Sequence, residues 1–71
     1  YFTNSSVRNV DFRGAKLIIE AKDCVFRGMK YDKETQFVYG IGKLAARSRF
    51  INCKLDDETR DFLSQQGVEI S

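Results

Sequence analysis

Large apolar side chains recur five residues apart at Val7, Phe12 and Leu17. That spacing fits neither the roughly 3.6-residue turn of an α-helix nor the two-residue alternation of a strand. A chain with this beat turns a corner after each short extended piece, so that one side chain per piece reaches a common inner axis. A second interval overlies the first: Phe12, Tyr31 and Phe50 stand nineteen residues apart, and the same shift lays Val7 on Phe26 and Val10 on Met29. Repeats of about 20 residues mark stacked units that bury little alone and share a continuous core once stacked. The spacing therefore predicts about three coils, with Phe12, Tyr31 and Phe50 forming one aromatic column.

Carried into a third coil, the same shift puts Ser48 under Met29 and Ala45 under Phe26. Leu17, Phe37 and Leu55 make a further column whose spacings of twenty and eighteen imply one inserted residue near Lys33 and Glu34. Smaller residues precede the large ones by two: Ser5 or Cys24, then Val10, Met29 or Ser48, then Ala15, Thr35 or Cys53. Two glycines open the segment from Gly40 to Arg47, which predicts a loop standing outside the stack.

The flanks differ from this middle. Residues 1–6 are rich in Asn and Ser and read as a lead-in, and residues 7–55 carry the repeat. Residues 56–71 begin with acids that suit a helix start, with Asp56 or Asp57 as N-cap, and Gly67 ends the helix with Val68 touching Leu63. Such a helix covers one end of the stack and leaves Val68, Glu69 and Ile70 to run beside it.

The segments Val10-Asp11-Phe12-Arg13-Gly14, Cys24-Val25-Phe26-Arg27-Gly28 and Ser48-Arg49-Phe50-Ile51-Asn52, each followed by a second piece ending in Leu17, Tyr31 or Leu55, resemble the five-residue repeat of the pentapeptide-repeat proteins. The resemblance spans about half of the chain. It implies a mainly β fold, a short right-handed quadrilateral β-helix of about three coils closed by a C-terminal helix. Coils of nineteen residues and few small residues at the family's alanine positions depart from its pattern.

Little in the chain points to catalysis. There is no histidine, so the commonest general base is missing, and Gly40-Ile41-Gly42-Lys43 lacks the remainder of a phosphate loop. Asp56, Asp57 and Glu58 are explained by helix capping. Cys24 and Cys53 are too few for a disulfide scaffold or a four-ligand zinc site and read as reduced thiols of a cytoplasmic protein. No cofactor and no catalytic or metal residues are assigned. The chain opens at Tyr1 rather than Met, which fits a domain of a larger protein.

The expected function is a non-enzymatic protein-protein interaction or structural module, with self-association through the ends of the stack as a further expectation. Stacking at nineteen places Lys30 beside Arg49 and Arg8 beside Arg27, so Arg27, Lys30, Arg47 and Arg49 predict a basic strip, and Tyr39 next to the glycine loop predicts a surface contact. The strip gives an alternative, weak binding of nucleic acid or phosphate. A third reading, the gyrase-binding DNA mimics of the resembling family, asks for an acidic rod, whereas 12 Lys and Arg against 10 Asp and Glu leave this chain at +2. No run of residues is long and apolar enough to span a membrane.

Overall fold

Six backbone corners lie in the left-handed region, and they set the path of the chain. Asn4, Asn9 and Gly14 follow one another at intervals of five, Asp23 and Gly28 repeat the interval, and Asn52 begins it again, with φ between 50° and 74°. Glycine adopts this conformation freely, and Asn and Asp tolerate it better than other residues. Between corners the chain is extended, as seen in a computed structural model describing residues 1–71. It forms eight short strands and one helix: β1 (Phe2–Thr3), β2 (Ser6–Arg8), β3 (Glu20–Lys22), β4 (Val25–Arg27), β5 (Val38–Tyr39), β6 (Ala46–Arg47), β7 (Arg49–Ile51), α1 (Asp57–Gln66) and β8 (Glu69–Ile70).

Successive passes of the chain pair in parallel at four stations. At the first, β1, β3, β7 and β8 form one sheet, with Phe2 opposite Ala21, Ala21 opposite Phe50 and Phe50 opposite Ile70. The second joins β2 to β4, placing Val7 on Phe26 and Arg8 on Arg27, and continues from Val25 to Lys54. The third and fourth are single parallel bridges, Asp11 to Lys30 and Lys16 to Gln36. The first three stations offset the first two passes by nineteen residues and the fourth by twenty, so the extra residue falls between Lys30 and Gln36. That is where the Leu17 and Phe37 spacing required it.

The third pass departs from the expected register. Phe50 lies on Ala21, twenty-nine residues back, rather than on Tyr31. Leu55 accordingly follows Phe26, Ser48 follows Ile19, and Cys53 follows Cys24, in place of the Phe37, Met29 and Thr35 columns predicted for them. Ala45 lies outside the stack, between a 3₁₀ turn (Gly42–Leu44) and β6. The cause is arithmetic: the second pass holds ten residues more than the first, one between Lys30 and Gln36 and nine before Arg49. Ten is two beats of five, so the third pass keeps the rhythm but arrives two stations away. Gly14 and Gly28 are likewise not equivalent, since Gly28 lies under Asn9, whose Oδ1 fills the place a side chain would need.

The core runs along the axis. Ile19, Cys24, Phe26, Phe37, Phe50 and Leu63 are buried, with Phe2, Val7, Leu17 and Tyr31 half-buried around them. Edge-to-face ring pairs link Phe2 to Phe26, Phe26 to Phe50 and Phe12 to Phe37, with centroids 5.2–6.1 Å apart. Two interior hydroxyls complete the backbone. Ser48 Oγ accepts the Ile19 N–H at 2.9 Å, and Thr35 Oγ1 donates to the Phe12 carbonyl at 2.8 Å. Every buried side-chain polar atom has a partner.

After the second station of the third pass the strands give way to α1. Asp56 precedes it in extended conformation without a side-chain capping bond, while Asp57 and Glu58 occupy the first turn, where the helix dipole favours acids. Gly67 (φ 86°) donates to the Ser64 carbonyl and Val68 to the Leu63 carbonyl, the pair of bonds of a Schellman turn. The helix passes across the third and fourth stations. Phe62 stacks on Tyr31 at 4.1 Å, and Gln66 meets the last extended piece, its Oε1 accepting the Phe37 N–H at 2.9 Å and its Nε2 donating to the Thr35 carbonyl at 2.6 Å. The chain then returns to the first station as β8. At the other end residues 1–6, expected as a lead-in, contain β1 and part of β2 and belong to the stack.

Candidate interaction surfaces

The expected basic strip is dispersed. Arg27 ends β4 at the second station and pairs with Asp56 at 3.0 Å. Lys30 stands at the third, opposite Asp11, and Arg49 at the first, between Glu20 and Glu69, with Glu69 Oε2 2.8 Å from its Nε. Arg8 does lie beside Arg27, but the third-pass register that put Arg49 next to Lys30 is displaced by two stations. Arg47 sits in the hairpin outside the stack. Arg47 and Arg49 thus reach Gly67 and Glu69 of one segment, while Arg27 and Lys30 stand at other stations, and the carboxylates beside Arg27 and Arg49 answer their charge.

Acids near the first corners are drawn into local bonds. Asp11 holds Arg13 in a two-point pair, Nη2 to Oδ2 at 2.7 Å and Nε to Oδ1 at 3.0 Å. The Arg13 side chain, then its backbone N–H, bring the Asp11 carboxyl down to about 2 from the usual 3.8, and Arg13 is raised in turn. Asp32 is also lowered, first by the Gly14 N–H at 3.1 Å and then by the N–H of Glu34. Asp32 thus fastens the second pass to the first across the turn that holds the inserted residue.

Cys24 and Cys53 are free thiols on adjoining passes, the first buried and the second half-buried, and burial pushes the Cys53 thiol up. No group of three or more Cys, Asp or Glu side chains converges in a way that suits a metal ion. Three surface depressions are present, one of about 120 Å³ against Tyr1, Glu20 and Arg49, and two shallow ones, lined mostly by polar residues, of about 480 and 430 Å³ against Gln36, Tyr39 and Gln66 and against Lys30, Tyr31 and Asp56.

Two surfaces stand out from this satisfied background. The first is the N-terminal end. Here β1 and β2 are edge strands with no neighbour on their outer side, and the half-buried Phe2, Val7 and Leu17 lie there, while Tyr1, 87% exposed, precedes β1 and borders the outer face of β3 and β7. Backbone groups on such an edge are ready to pair with another strand. The second is the hairpin of β5 and β6, paired antiparallel through Val38 with Arg47 and Tyr39 with Ala46. At its tip Ile41 is 93% exposed and Leu44 96%. Sequence reasoning placed the loop and singled out Tyr39, yet passed over these two residues. The signal for them was that both lie outside the five-residue beat, where no core station was free to receive them. Tyr39 is 44% exposed and is anchored, its hydroxyl donating to the Lys16 carbonyl.

No protein-family model, curated protein or solved structure matches the chain. No helix is long and apolar enough to cross a membrane.

Proposed function

We propose that the chain is a non-enzymatic structural and protein-interaction module, a short quadrilateral β-helix of about three coils that receives an extended segment of a protein partner on its N-terminal end. Four pairing stations about five residues apart, with parallel registers of nineteen or twenty between the first two passes, support the β-helical reading and the likeness to pentapeptide repeats. The observation that carries the interaction reading is the asymmetry of the edges. The C-terminal end is met by α1, through Phe62 and Gln66, and keeps only the two-residue β8 as an edge strand, whereas β1 and β2 stand uncovered beside apolar side chains. Main-chain bonds to those strands supply affinity, and Phe2, Val7 and Leu17 supply a surface that discriminates between segments.

A photo-crosslinking residue placed at Tyr1, and separately at Glu58 on the helical end, tests the reading in cells that express the full-length protein. The expected result is a discrete protein adduct from position 1 that Val7→Asp abolishes, with none from position 58. Adducts from the helical end alone, or from neither position, reject it.

A further inference from the structure

The hairpin tip is a different surface from the N-terminal end and calls for a different partner. Ile41 and Leu44 make almost no contact with the rest of the chain, so they contribute nothing to the core. The fold nevertheless holds them in place. Gly40 (φ 85°) and Gly42 (φ 66°) turn the chain at the tip, and the Ala45 N–H closes a 3₁₀ turn on the Gly42 carbonyl at 3.2 Å. A side chain at Gly42 would meet nothing within 4 Å, so this glycine serves the backbone conformation rather than packing. The foot of the hairpin is fastened on both strands, by the Tyr39 hydroxyl to Lys16 and by Arg47 Nη1 to the Gly67 carbonyl at 3.0 Å.

The charge around the tip has one sign. From Thr35 to Leu55 there is no Asp or Glu, while Lys43, Arg47, Arg49 and Lys54 fall in that span. Arg49 is paired with Glu69, but Arg47 meets only a neutral carbonyl, and Lys43 lies between Ile41 and Leu44 in the sequence and forms no ion pair. That arrangement selects among apolar partners. A protein pocket closing over Ile41 and Leu44 has to accommodate the ammonium between them. In a lipid layer the two aliphatic side chains pass the headgroups while Lys43 snorkels to the phosphates.

We infer that the hairpin is a peripheral membrane anchor that dips Ile41 and Leu44 into an anionic lipid surface, with Lys43 and Arg47 on the headgroups. An apolar contact of this size binds reversibly. Even a single myristoyl chain gives a partition constant of only about 10⁴ M⁻¹. The attachment is therefore weak and salt-sensitive, and it holds the module at a membrane only together with a second contact.

The test is co-sedimentation of the chain with vesicles of phosphatidylcholine containing about a third phosphatidylserine, against phosphatidylcholine alone, at low and high salt. The chain contains no tryptophan, so Leu44→Trp supplies an unambiguous fluorescence reporter. Partition is expected into the anionic vesicles at millimolar lipid, with a blue shift of the reporter's emission and its quenching by brominated acyl chains. Ile41→Ser/Leu44→Ser, whose fold is checked by circular dichroism, is expected to lose about tenfold or more. Lys43→Gln is expected to lose about fivefold, the contribution of one cation near an anionic leaflet. Absence of partition by the unmodified chain overturns the inference, as does undiminished binding of the double serine variant, which would leave a general charge effect. Crosslinks from position 41 to a protein without vesicle binding also overturn it and assign the tip to a protein pocket.

Discussion

The two ends of the stack begin from the same materials, short extended pieces with an apolar residue turned inward, and finish differently. At the C-terminal end α1 lays Phe62 on Tyr31, buries Leu63 completely and turns Gln66 onto the Thr35 and Phe37 backbone, after which β8 adds a last strand. At the N-terminal end β1 and β2 have neighbours on one side only. A glutamine side chain in effect replaces one residue of a missing strand, because its amide carries the donor and acceptor that a peptide group offers. Covering an end of these strands thus falls to the helix, since an added strand, β8 included, only moves the open edge outward.

The contrast predicts where stability is concentrated, and truncation of buried side chains tests it most strongly. Leu63→Ala at the closed end is expected to destabilise the fold by about 3 kcal/mol in urea unfolding, the transfer and cavity loss of a fully buried leucine. Val7→Ala at the open end, which begins half-buried, is expected to cost about 1 kcal/mol. Equal losses would break the comparison. Gln66→Ala leaves a part-buried N–H and carbonyl without partners and is expected to cost about 2 kcal/mol. Hydrogen exchange sharpens this case, because the Phe37 amide should lose protection while the Leu17 amide, which donates to Gln36, keeps it.

Glycine substitutions separate the ends by smaller amounts. Gly67→Ala forces a left-handed alanine whose Cβ would lie 2.6 Å from Arg47 Nη1, so Arg47 must move, with an expected cost of about 2 kcal/mol. Gly14→Ala has open space around it and is expected to show the conformational cost alone, about 1 kcal/mol, in the same unfolding series.

Acid is expected to act least, through the carboxylates that tie the corners of the first two passes. The Asp11 carboxyl is lowered to about 2, so its stabilising contribution is fully present above the unfolded value of 3.8 and is lost as pH falls through about 2. Asp32, also lowered, adds to the same trend. Carboxyl chemical shifts should show Asp11 titrating near the lower value, and Asp11→Asn should flatten the acid limb of the stability curve. An Asp11 midpoint at the ordinary aspartate value rules this out.

Much of the first two passes was legible because the five-residue beat is written in large side chains, Val7, Phe12 and Leu17 over Phe26, Tyr31 and Phe37. The helix was legible from its first-turn acids and from Gly67. The third pass was misread for a definite reason. An insertion of two whole beats leaves apolar spacing unchanged, and Phe50 looks the same to a periodicity argument whether it lies on Tyr31 or on Ala21. The corners offered the missing check, since Asn4, Asp23 and Asn52 occupy one column at offsets of nineteen and twenty-nine, and Asn52 Nδ2 bonds Asp23 Oδ1 at 2.6 Å. The basic strip failed with the register on which it rested. The hairpin tip was missed although Ile41 and Leu44 lie outside the five-residue beat, because attention fell on Tyr39 and the glycines rather than on the apolar residues left without a station.

The hairpin also makes its corner a splice point. Val38 and Arg47 face each other as a strand pair, so the chain leaves and re-enters the stack at neighbouring positions. The entropy of closing a loop there rises only slowly with its length. Recognition sequences grafted between those two residues can therefore be exchanged or lengthened while the parallel strands on either side keep their register.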